Sequence, residues 1–390
     1  MDFAVPEELA QLRQSFRTFV DREARPLEER FLPQIQRWEW SDEAQQAGVD
    51  LRRRAAAEGF YACYLPEEVG GSGVSTLGTT LLVEQVGASG LRFAQWCLGP
   101  PNPEAPSPVL LDAQPHIRER YLTPLVRGEA TMCFALTEPE AGSDAQAITT
   151  RATRHGDSWI LNGTKHYITA ADSAAFALVF AVNDPELRAH GGITAFIVPR
   201  EQYRVVGRQW TVADTHPYEI VFEDAEVPAD HVVGEPGFGF YTAMRFLNSG
   251  RAYIGAMCLG LAQFCLDLAV THTQQRTAFG RPLARNQGVA FQLADSKVEI
   301  EAARWLTYHL AWQVDERPED PAVVLDSSIV KLFGTEMVGR VVDRAMQVLG
   351  GQGLMREVPL ERIWRFVRIL RVVEGASEVQ RLVIARNLGL

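Results

Sequence analysis

Hydrophobic side chains recur every three or four residues in the first third of the chain. From Glu7 to Val20 this spacing predicts an amphipathic helix, whose apolar stripe consists of Leu9, Leu12, Phe16, Phe19 and Val20. A further helix is predicted from Thr79 to a glycine stop at Gly87. The segment from Gly99 to Pro108 contains five prolines and breaks the helical pattern, because a helix interior does not tolerate proline.

Between about Met132 and Gly234 the pattern changes to short apolar runs with polar connections. The run from Trp159 to Thr169 predicts two strands joined by a hairpin turn at Asn162-Gly163, a pair that favours tight turns. Further strands are predicted at Phe176–Val182, Ile193–Val198 and Glu219–Phe222. This part of the chain therefore predicts a compact β domain inside an otherwise helical protein.

Helical spacing resumes after Gly237. The apolar region from Ala252 to Val270 is interrupted by Gln263 and Asp267, so it predicts a buried helix and not a membrane span. Small residues within it, namely Gly255, Ala256, Gly260 and Ala262, would let a neighbouring helix approach closely. Two more long helices, from Phe291 to Trp312 and from Ser327 to Leu349, and a final one capped by Ser377 would complete a four-helix bundle.

The predicted fold is thus mainly α with a central β domain (α+β). We expect an N-terminal helical domain over residues 1–130, a β-barrel-like middle domain over 131–236, and a C-terminal four-helix bundle over 237–390.

Composition narrows the possible functions. The formal net charge of -11 argues against a nucleic-acid binder, which would present a basic face. The five cysteines are scattered and form no C-x-x-C pair, and there is no H-E-x-x-H, so we expect free thiols and no metal site. The acidic N-terminus has no apolar signal core, and we therefore expect a cytoplasmic protein.

The acid Glu374 lies between an apolar run and Gly375, just before the final predicted helix. It has two interpretations. It could pair with a nearby arginine, since Arg368, Arg371 and Arg381 are close in sequence. Alternatively it could be a general base in an apolar pocket, where burial raises the pKa of a carboxylate. Taken alone, the stretch favours the ion pair.

The segment from Ala135 to Asp144 combines hydroxyl groups and a glycine at a strand-to-loop transition. Such a loop offers donors and close backbone approach to a planar or phosphorylated ligand. A turn capped by Ser143 and Asp144 explains the residues equally well.

Five stretches, in order along nearly the whole chain, resemble signatures of the acyl-CoA dehydrogenases. They are residues 137–144 (T-E-P-x-A-G-S-D), 167–169 ([WY]-I-T), 276–283 (R-x-x-F-G-x-x-[LI]), 347–353 (Q-[VIL]-x-G-G-x-G) and 374–381 (E-G-[TA]-[SA]-x-x-Q-R). The resemblance implies FAD as cofactor and reverses the interpretation of Glu374, which becomes the base that removes the α-proton of a thioester. Some family members carry the base just before the position of Arg251, which here opens the long predicted helix. That position is Gly250, so Glu374 is the only candidate.

The resemblance also implies the remaining site residues. Thr137 would bond the flavin ring and Ser143 the pyrophosphate, Tyr167 would shield the flavin, and Arg276 and Phe279 would reach a neighbouring subunit's FAD. The full cofactor-binding set is Phe134, Leu136, Thr137, Gly142, Ser143, Tyr167, Thr169, Arg276, Phe279, Gln287, Gln347, Gly350, Gly351, Ala376 and Glu378. The substrate-binding set is Ser143, Leu247, Asn248, Arg251, Val373, Glu374 and Gly375.

Three positions depart from the family pattern. Val373 replaces a common aromatic residue, Ala376 replaces a common threonine, and the segment from Thr211 to His216 lacks the usual arginine. These departures bear on the identity of the acyl group and leave the core machinery in place.

The activity implied is α,β-dehydrogenation of an acyl-CoA to a trans-2-enoyl-CoA in fatty acid metabolism. The implied partners are an electron-transfer flavoprotein as acceptor and further copies of the chain, in a homotetramer built as a dimer of dimers through the C-terminal helices. Three alternatives stay open: a dehydrogenase of carrier-protein-bound or modified acyl groups, a flavin monooxygenase or oxidase on the same fold, and a flavin-binding partner subunit without turnover.

Overall fold

The computed structural model describes residues 4–390, apart from the side chain of Ser249. The helices, in chain order, are α1 (Glu7–Arg37), α2 (Asp42–Ala57), α3 (Thr76–Ser89), α4 (Pro115–Ile117), α5 (Thr123–Val126), α6 (Gly239–Gln275), α7 (Gln287–Glu316), α8 (Ala322–Leu349), α9 (Leu360–Leu370) and α10 (Ser377–Asn387). The strands are β1 (Met132–Ala135), β2 (Arg151–His155), β3 (Ser158–Ile168), β4 (Phe176–Val182), β5 (Ile193–Pro199), β6 (Arg204–Arg208), β7 (Tyr218–Pro228), β8 (Val232–Val233), β9 (Thr277–Ala278) and β10 (Arg281–Pro282).

The chain forms two compact units. The helical unit comprises Met1–Arg52, Val74–Pro101 and Gly250–Leu390, and the sheet unit comprises Arg53–Gly73 and Asn102–Ser249. The predicted fold class, mainly α with a central β domain, is confirmed. The domain limits predicted above, 1–130, 131–236 and 237–390, stay a prediction.

The sheet unit is built on one mixed sheet with the strand order β6-β7-β3-β2-β4-β5-β8, and β1 pairs in parallel with β4. Every residue of β4 and β5 is buried, as expected of strands covered on both faces. The strands predicted at Phe176–Val182, Ile193–Val198 and Glu219–Phe222 are confirmed as β4, β5 and part of β7.

The hairpin predicted at Asn162-Gly163 is wrong. Strand β3 runs unbroken through this pair, and its register against β7 shifts between Leu161 and Gly163, which marks a β-bulge. A Cβ at Gly163 would lie 2.6 Å from Oγ1 of Thr150, so the glycine serves a close approach and not a turn. The hairpin in this region instead joins β2 to β3, at Gly156 with φ 58°.

Glycines let three helices of the helical unit approach closely. A Cβ at Gly260 in α6 would lie 2.1 Å from the carbonyl oxygen of Glu84 in α3, and one at Gly255 would lie 2.5 Å from Cγ1 of Val330 in α8. The close approach predicted from the small residues of α6 is thereby confirmed. It places α6 and α8 side by side in this unit, with the four predicted C-terminal helices all present and α9 as an addition that the sequence analysis missed.

Helix α6 is the one helix of the described residues 4–390 that is long and apolar enough to cross a membrane. In the structure, 67% of its most apolar window is buried, as in the core helix of a folded unit. All five cysteines are buried, and none of them forms a disulfide.

Candidate active site

The turn between α9 and α10 holds two consecutive residues in the left-handed region. Glu374 has φ 54° and Gly375 has φ 94°. Glycine adopts this conformation freely, whereas glutamate does so at a cost of roughly 1–2 kcal/mol. A non-glycine residue in this conformation persists only where its surroundings hold it, and such residues cluster at functional sites.

Two side chains hold this turn through one carbonyl group. The carbonyl oxygen of Gly375 accepts hydrogen bonds from Nζ of Lys331, at 2.7 Å, and from Nε2 of Gln380, at 2.9 Å. A Cβ at Gly375 would lie 2.6 Å from that Gln380 nitrogen, and side chains rarely adopt a φ of 94°, so both the space and the backbone favour glycine here. Helix α10 then begins at Ser377 with Ala376 as its N-cap, and the prediction of Ser377 as the cap was wrong. The hydroxyl group of Ser377 is buried and has no hydrogen-bond partner among the described residues.

The carboxylate of Glu374 is the most unusual group of the turn. The residue as a whole is half-buried, but its Oε2 atom is buried and has no hydrogen-bond partner among the described residues. Burial raises the pKa of Glu374 to about 7, against the opposing influence of the Arg251 and Lys331 cations. A carboxylate with such a pKa exchanges protons near neutrality, which suits a general base.

The arginines near Glu374 in sequence are not its partners. Arg381 forms an ion pair with Glu336 at 2.8 Å, and Arg371 lies 3.6 Å from the same carboxylate. Two of the three arginines named in the ion-pair interpretation are thus close to Glu336, and the third, Arg368, has an exposed side chain. The cations that influence Glu374 come from distant parts of the chain, α6 and α8.

Arg251 lies inside α6 and not at its start, because the helix begins well before it, at Gly239. The predicted helix opening at Arg251 was therefore wrong. The side chain is buried, and its Nη1 donates to Oγ of Ser327 in α8 at 3.4 Å. Burial lowers the pKa of Arg251, and the nearby Glu374 carboxylate partly offsets this effect. The structure thus brings Arg251, Glu374 and Gly375 together.

The other predicted site residues of the helical unit lie at its surface. Phe279 is 97% exposed, at the tip of the β9–β10 hairpin, and both it and Gly280 have positive φ, as a tight hairpin turn requires. Ala376 is half-buried. The remaining residues are all exposed: Arg276, Gln287, Gln347, Gly350, Gly351, Val373 and Glu378. Their contacts with a cofactor or substrate stay predictions.

In the sheet unit a buried ion pair fixes the loop that follows β1. The carboxylate of Glu138 accepts from Nζ of Lys165 at 2.8 Å, and also from the backbone N–H groups of Thr149 and Thr150 at 2.6 and 2.9 Å. Lys165 also donates to the carbonyl oxygen of Leu136 at 3.0 Å. Burial acts to raise the pKa of Glu138, but Lys165 and these hydrogen bonds lower it on balance.

This anchoring leaves the neighbouring predicted site residues accessible. The side chain of Thr137 is half-buried, while its carbonyl oxygen accepts from the N–H of His166 at 2.8 Å. Gly142 and Ser143 are exposed, and a Cβ at Gly142 would meet no atom within 4 Å. The backbone of this turn is therefore open to a ligand.

Tyr167 presents an aromatic ring beside this loop. It has φ 60° and is 62% exposed, and its N–H donates to Oε1 of Gln209 at 3.1 Å. Thr169 follows, half-buried. The remaining predicted residues of this unit serve packing as well. Leu136 is buried, Phe134 stacks on Phe246 with ring centroids 4.3 Å apart, and Leu247 and Asn248 are half-buried in α6.

Lys331 and Gln380 hold the turn between α9 and α10, but neither was predicted from the sequence as a site residue. A signal for Lys331 was present, because it is one of only three lysines and it occupies a position on the apolar stripe of a predicted helix. Val330, Gly334 and Val338 of that stripe are all buried, as is Lys331. A lone cation at such a position indicates a specific partner.

Three family models together match almost the whole chain. They are the acyl-CoA dehydrogenase N-terminal domain over residues 6–129, the middle domain over 133–225 and the C-terminal domain over 237–389. The chain belongs to the acyl-CoA dehydrogenase family. It is therefore an oxidoreductase, and the family resemblance inferred from its motifs is confirmed.

Individual relatives match this chain over nearly its whole length. The short-chain specific acyl-CoA dehydrogenase of Bos taurus mitochondria is 35% identical over 388 residues, which are 98% of this chain and 90% of the relative. The 3-(aryl)acrylate reductase of Clostridium sporogenes is also 35% identical, over 97% of both chains. The solved butyryl-CoA dehydrogenase of Megasphaera elsdenii is 31% identical, with a TM-score of 0.85 and full coverage of both chains.

FAD is the cofactor of this family and of this flavoprotein. The residues of the sheet unit fit it. Tyr167 offers an exposed ring to a planar flavin, and the half-buried Thr169 follows two residues later. Thr137, also half-buried, lies close to them because its carbonyl oxygen accepts from the N–H of His166. The open turn at Gly142-Ser143 offers backbone and hydroxyl donors suited to a pyrophosphate.

Proposed function

We propose that this protein catalyses the α,β-dehydrogenation of an acyl-CoA thioester to a trans-2-enoyl-CoA, with Glu374 as the base. The observation that carries the proposal is the buried Oε2 atom of Glu374, which has no hydrogen-bond partner among the described residues. Buried polar atoms are nearly always partnered, so an orphaned one at a family signature points to a group that binds there.

The protein's residues divide the work at the substrate. Glu374 takes the α-proton onto its carboxylate as the Cα–Cβ double bond forms. The α-proton of a thioester becomes acidic when the developing negative charge on the carbonyl oxygen is stabilised by a hydrogen-bond donor. By family resemblance, the backbone N–H of Glu374 is that donor. Glu374 would then take the α-proton with its carboxylate and donate to the thioester oxygen with its N–H.

The cofactor would be held by Thr137, Ser143, Tyr167 and Thr169 in the sheet unit. Bound FAD supplies the acceptor for the hydrogen that leaves the β-carbon as a hydride. An electron-transfer flavoprotein is the proposed oxidant that restores the cofactor, as the family resemblance implies.

Short acyl chains are the proposed substrates, because the short-chain specific and butyryl-CoA dehydrogenases are among the full-length relatives. The equally similar 3-(aryl)acrylate reductase adds aryl-substituted acyl groups to the set worth testing. A role in fatty acid metabolism follows from the family resemblance. This role and the cytoplasmic location expected above both stay predictions.

A homotetramer is the proposed assembly. One observation that supports contact between copies is the exposed apolar stripe of α7, in which Phe291, Val298, Trp305 and Trp312 recur every seven residues. These side chains are 62, 69, 46 and 43% exposed. Large exposed apolar side chains that recur on one helix face are typical of a protein interface.

Anaerobic titration of the FAD-loaded protein with a panel of acyl-CoAs tests the proposal. The panel contains straight chains from butyryl-CoA upward, branched chains and aryl-substituted propionyl groups. We expect at least one thioester to bleach the visible flavin absorbance, and Glu374→Gln to slow bleaching at least ~100-fold, as for loss of a positioned base. Glu357→Gln, an exposed acid just before α9, is the matched control and should bleach like the wild type.

Other outcomes would favour the alternatives. Equal bleaching by wild type and Glu374→Gln would refute the assignment of the base. Bleaching by pantetheine-linked or carrier-bound acyl groups alone would indicate a carrier-protein substrate, and rapid oxygen consumption by the reduced protein would indicate a monooxygenase or oxidase. A yellow protein that no thioester bleaches would indicate a non-catalytic partner subunit.

A further inference from the structure

The carbonyl oxygen of Gly375 receives two side-chain donors from two different helices. Lys331 reaches it from α8 and Gln380 from α10, at 2.7 and 2.9 Å. Both donor residues are completely buried, with 0% of their surface exposed. The Nε2 atom of Gln380 also lies 3.4 Å from the carbonyl oxygen of Glu374. The carbonyl groups of Glu374 and Gly375 therefore both face the side-chain nitrogen of Gln380.

A fully buried lysine needs a specific reason, because removing an ammonium group from water is costly unless strong partners replace the water. The hydrogen bond recorded for the Lys331 ammonium within the described residues is the one to Gly375. An apolar side chain of similar shape would avoid the desolvation cost, so a single hydrogen bond does not by itself account for a lysine at this position.

The conformation of Glu374 supplies the reason. Its φ of 54° is unfavourable for a residue with a side chain, and the direction of its Cα–Cβ bond depends on the peptide planes that Lys331 and Gln380 fix. Without these donors the turn could relax toward ordinary backbone angles, which would swing the carboxylate away from its present position beside Gly250.

We propose that Lys331 and Gln380 are positioning residues that clamp the Gly375 carbonyl and thereby aim the carboxylate of Glu374 at the substrate. The inference rests on the proposed function of Glu374 as the base. Lys331 has a second effect that Gln380 lacks, since its charge acts on the Glu374 carboxylate.

The charged and titratable groups around Glu374 allow the two effects to be separated. Arg251 on α6 and Lys331 on α8 face its carboxylate, while Cys258 on α6 and Glu378 on α10 act on Lys331. Both cations hold the pKa of Glu374 below the value that burial alone would give. Removing Lys331 would leave Arg251 as the one remaining cation of this pair and raise the pKa of Glu374 further.

Three variants test the clamp. Lys331→Met removes the donor and the charge, Gln380→Met removes a neutral donor, and Lys331→Gln keeps a donor but removes the charge. Thr335→Val is the control, because this buried threonine lies one turn further along α8 and donates only to the carbonyl oxygen of Lys331, at 2.8 Å. Circular dichroism and FAD content establish which variants are folded.

The first measurement is the rate of flavin reduction by the best acyl-CoA as a function of pH. We expect Lys331→Met and Gln380→Met to lower the plateau rate at least tenfold, as misplacement of a reacting group does. Lys331→Met and Lys331→Gln should also move the acid limb to higher pH, whereas Gln380→Met and Thr335→Val should leave it in place. A purely structural role would not separate the variants in this way.

The second measurement needs no turnover. Carboxyl ¹³C NMR of the FAD-loaded protein without substrate, with the Glu374 signal assigned by its loss in Glu374→Gln, should show a higher pKa for Glu374 in the two Lys331 variants alone. A wild-type rate profile and an unchanged Glu374 titration in folded Lys331→Met or Lys331→Gln would overturn the role of Lys331, and a wild-type plateau in Gln380→Met would overturn the clamp. If Lys331→Met does not fold, Lys331→Gln and Gln380→Met decide the question. Failure of the proposed function is distinct, because only that would leave Glu374→Gln fully active.

Discussion

The Oε2 atom of Glu374 lies 3.0 Å from the point where the Cβ of any side chain at position 250 would stand. Gly250 is therefore the neighbour that leaves room for the carboxylate. A glycine inside a helix costs roughly 0.5–1 kcal/mol relative to alanine, so α6 keeps a destabilising residue at this contact. The arrangement favours function over helix stability.

Replacing this glycine should separate activity from stability. We expect Gly250→Ala to unfold at the same or a higher temperature, because alanine suits a helix, but to reduce its flavin about tenfold more slowly, because the new methyl group displaces the carboxylate. Stopped-flow reduction by acyl-CoA and thermal unfolding measure the two effects. Gly339→Ala in α8 is the control, since a Cβ there meets no atom within 4 Å. Wild-type reduction by Gly250→Ala would mean that the carboxylate does not need its present position.

The pH dependence of catalysis should follow the ionisation of Glu374. Only the carboxylate form can take a proton, and burial raises the pKa of this group in the free protein to about 7. We therefore expect kcat/KM to rise about tenfold per pH unit below pH 7 and to level off above it, since this parameter reports the ionisation of the free enzyme. Steady-state assays from about pH 5 to about pH 9 with an artificial electron acceptor would reveal this limb. A profile that stays nearly flat down to about pH 5, as the ordinary glutamate pKa of 4.5 would give, would contradict it.

The ionisation of Glu374 should also make the stability of the protein depend on pH. The contribution of this residue to stability should fall over the pH range in which kcat/KM rises. The pKa of Glu374 is higher in the folded than in the unfolded protein. The contribution of Glu374 to stability is therefore complete below about pH 4.5 and is lost as the pH rises through about 7. Glu374→Gln cannot ionise at this position. Its free energy of unfolding should therefore increase relative to that of the wild type as the pH rises over this range. Urea unfolding of both FAD-free proteins at several pH values measures the difference, and a difference that does not change with pH would count against the burial of this carboxylate.

Much of this molecule could be predicted from local patterns. The helical spacing of Phe16, Phe19 and Val20, the apolar run of β4 and the small residues of α6 each impose a local structure that the fold keeps. The motifs around Thr137 and Glu374 identified the family because they combine several unusual residues at fixed spacing.

Other features depended on contacts between distant residues and could not be predicted. Asn162-Gly163 has the composition of a hairpin turn, but the pair lies inside strand β3, where Thr150 closely approaches Gly163. The extra residue of the register shift lies on the partner strand β7. The arginines near Glu374 in sequence pair with Glu336, whereas the cations that act on Glu374 arrive from α6 and α8. Pairing of this kind is decided by tertiary packing, which no local pattern contains.

The buried pair of Lys165 and Glu138 should support cofactor binding. Their side chains are 0 and 4% exposed, and removing one partner of such a pair typically costs about 3–5 kcal/mol because the other charge stays buried. We expect Lys165→Met to lose stability on this scale and to bind FAD more weakly, since the loop carrying Thr137 and Ser143 loses its anchor. Urea unfolding and FAD titration measure the two effects.

The exposed pair of Lys297 and Glu301 provides the control for this prediction. It has the same chemistry, at 2.6 Å, with side chains 55 and 40% exposed, and Lys297→Met should cost less than about 1 kcal/mol. Adding Glu138→Gln to Lys165→Met should restore part of the lost stability by removing the stranded charge. Equal costs for the two lysine variants would show that burial of the pair has no energetic consequence.

The apolar stripe of α7 should set the oligomeric state. Val298, the most exposed of its four residues, lies near the middle of the stripe, so an aspartate there would have to be desolvated in any interface that covers it. We expect light scattering during size-exclusion chromatography to give the wild type a mass of four times 43.4 kDa and Val298→Asp a smaller assembly. Leu32→Asp, at a 42% exposed position on α1, is the control and should keep the wild-type mass. A tetrameric Val298→Asp would mean that the copies meet through another surface, and the stripe would then need a different occupant.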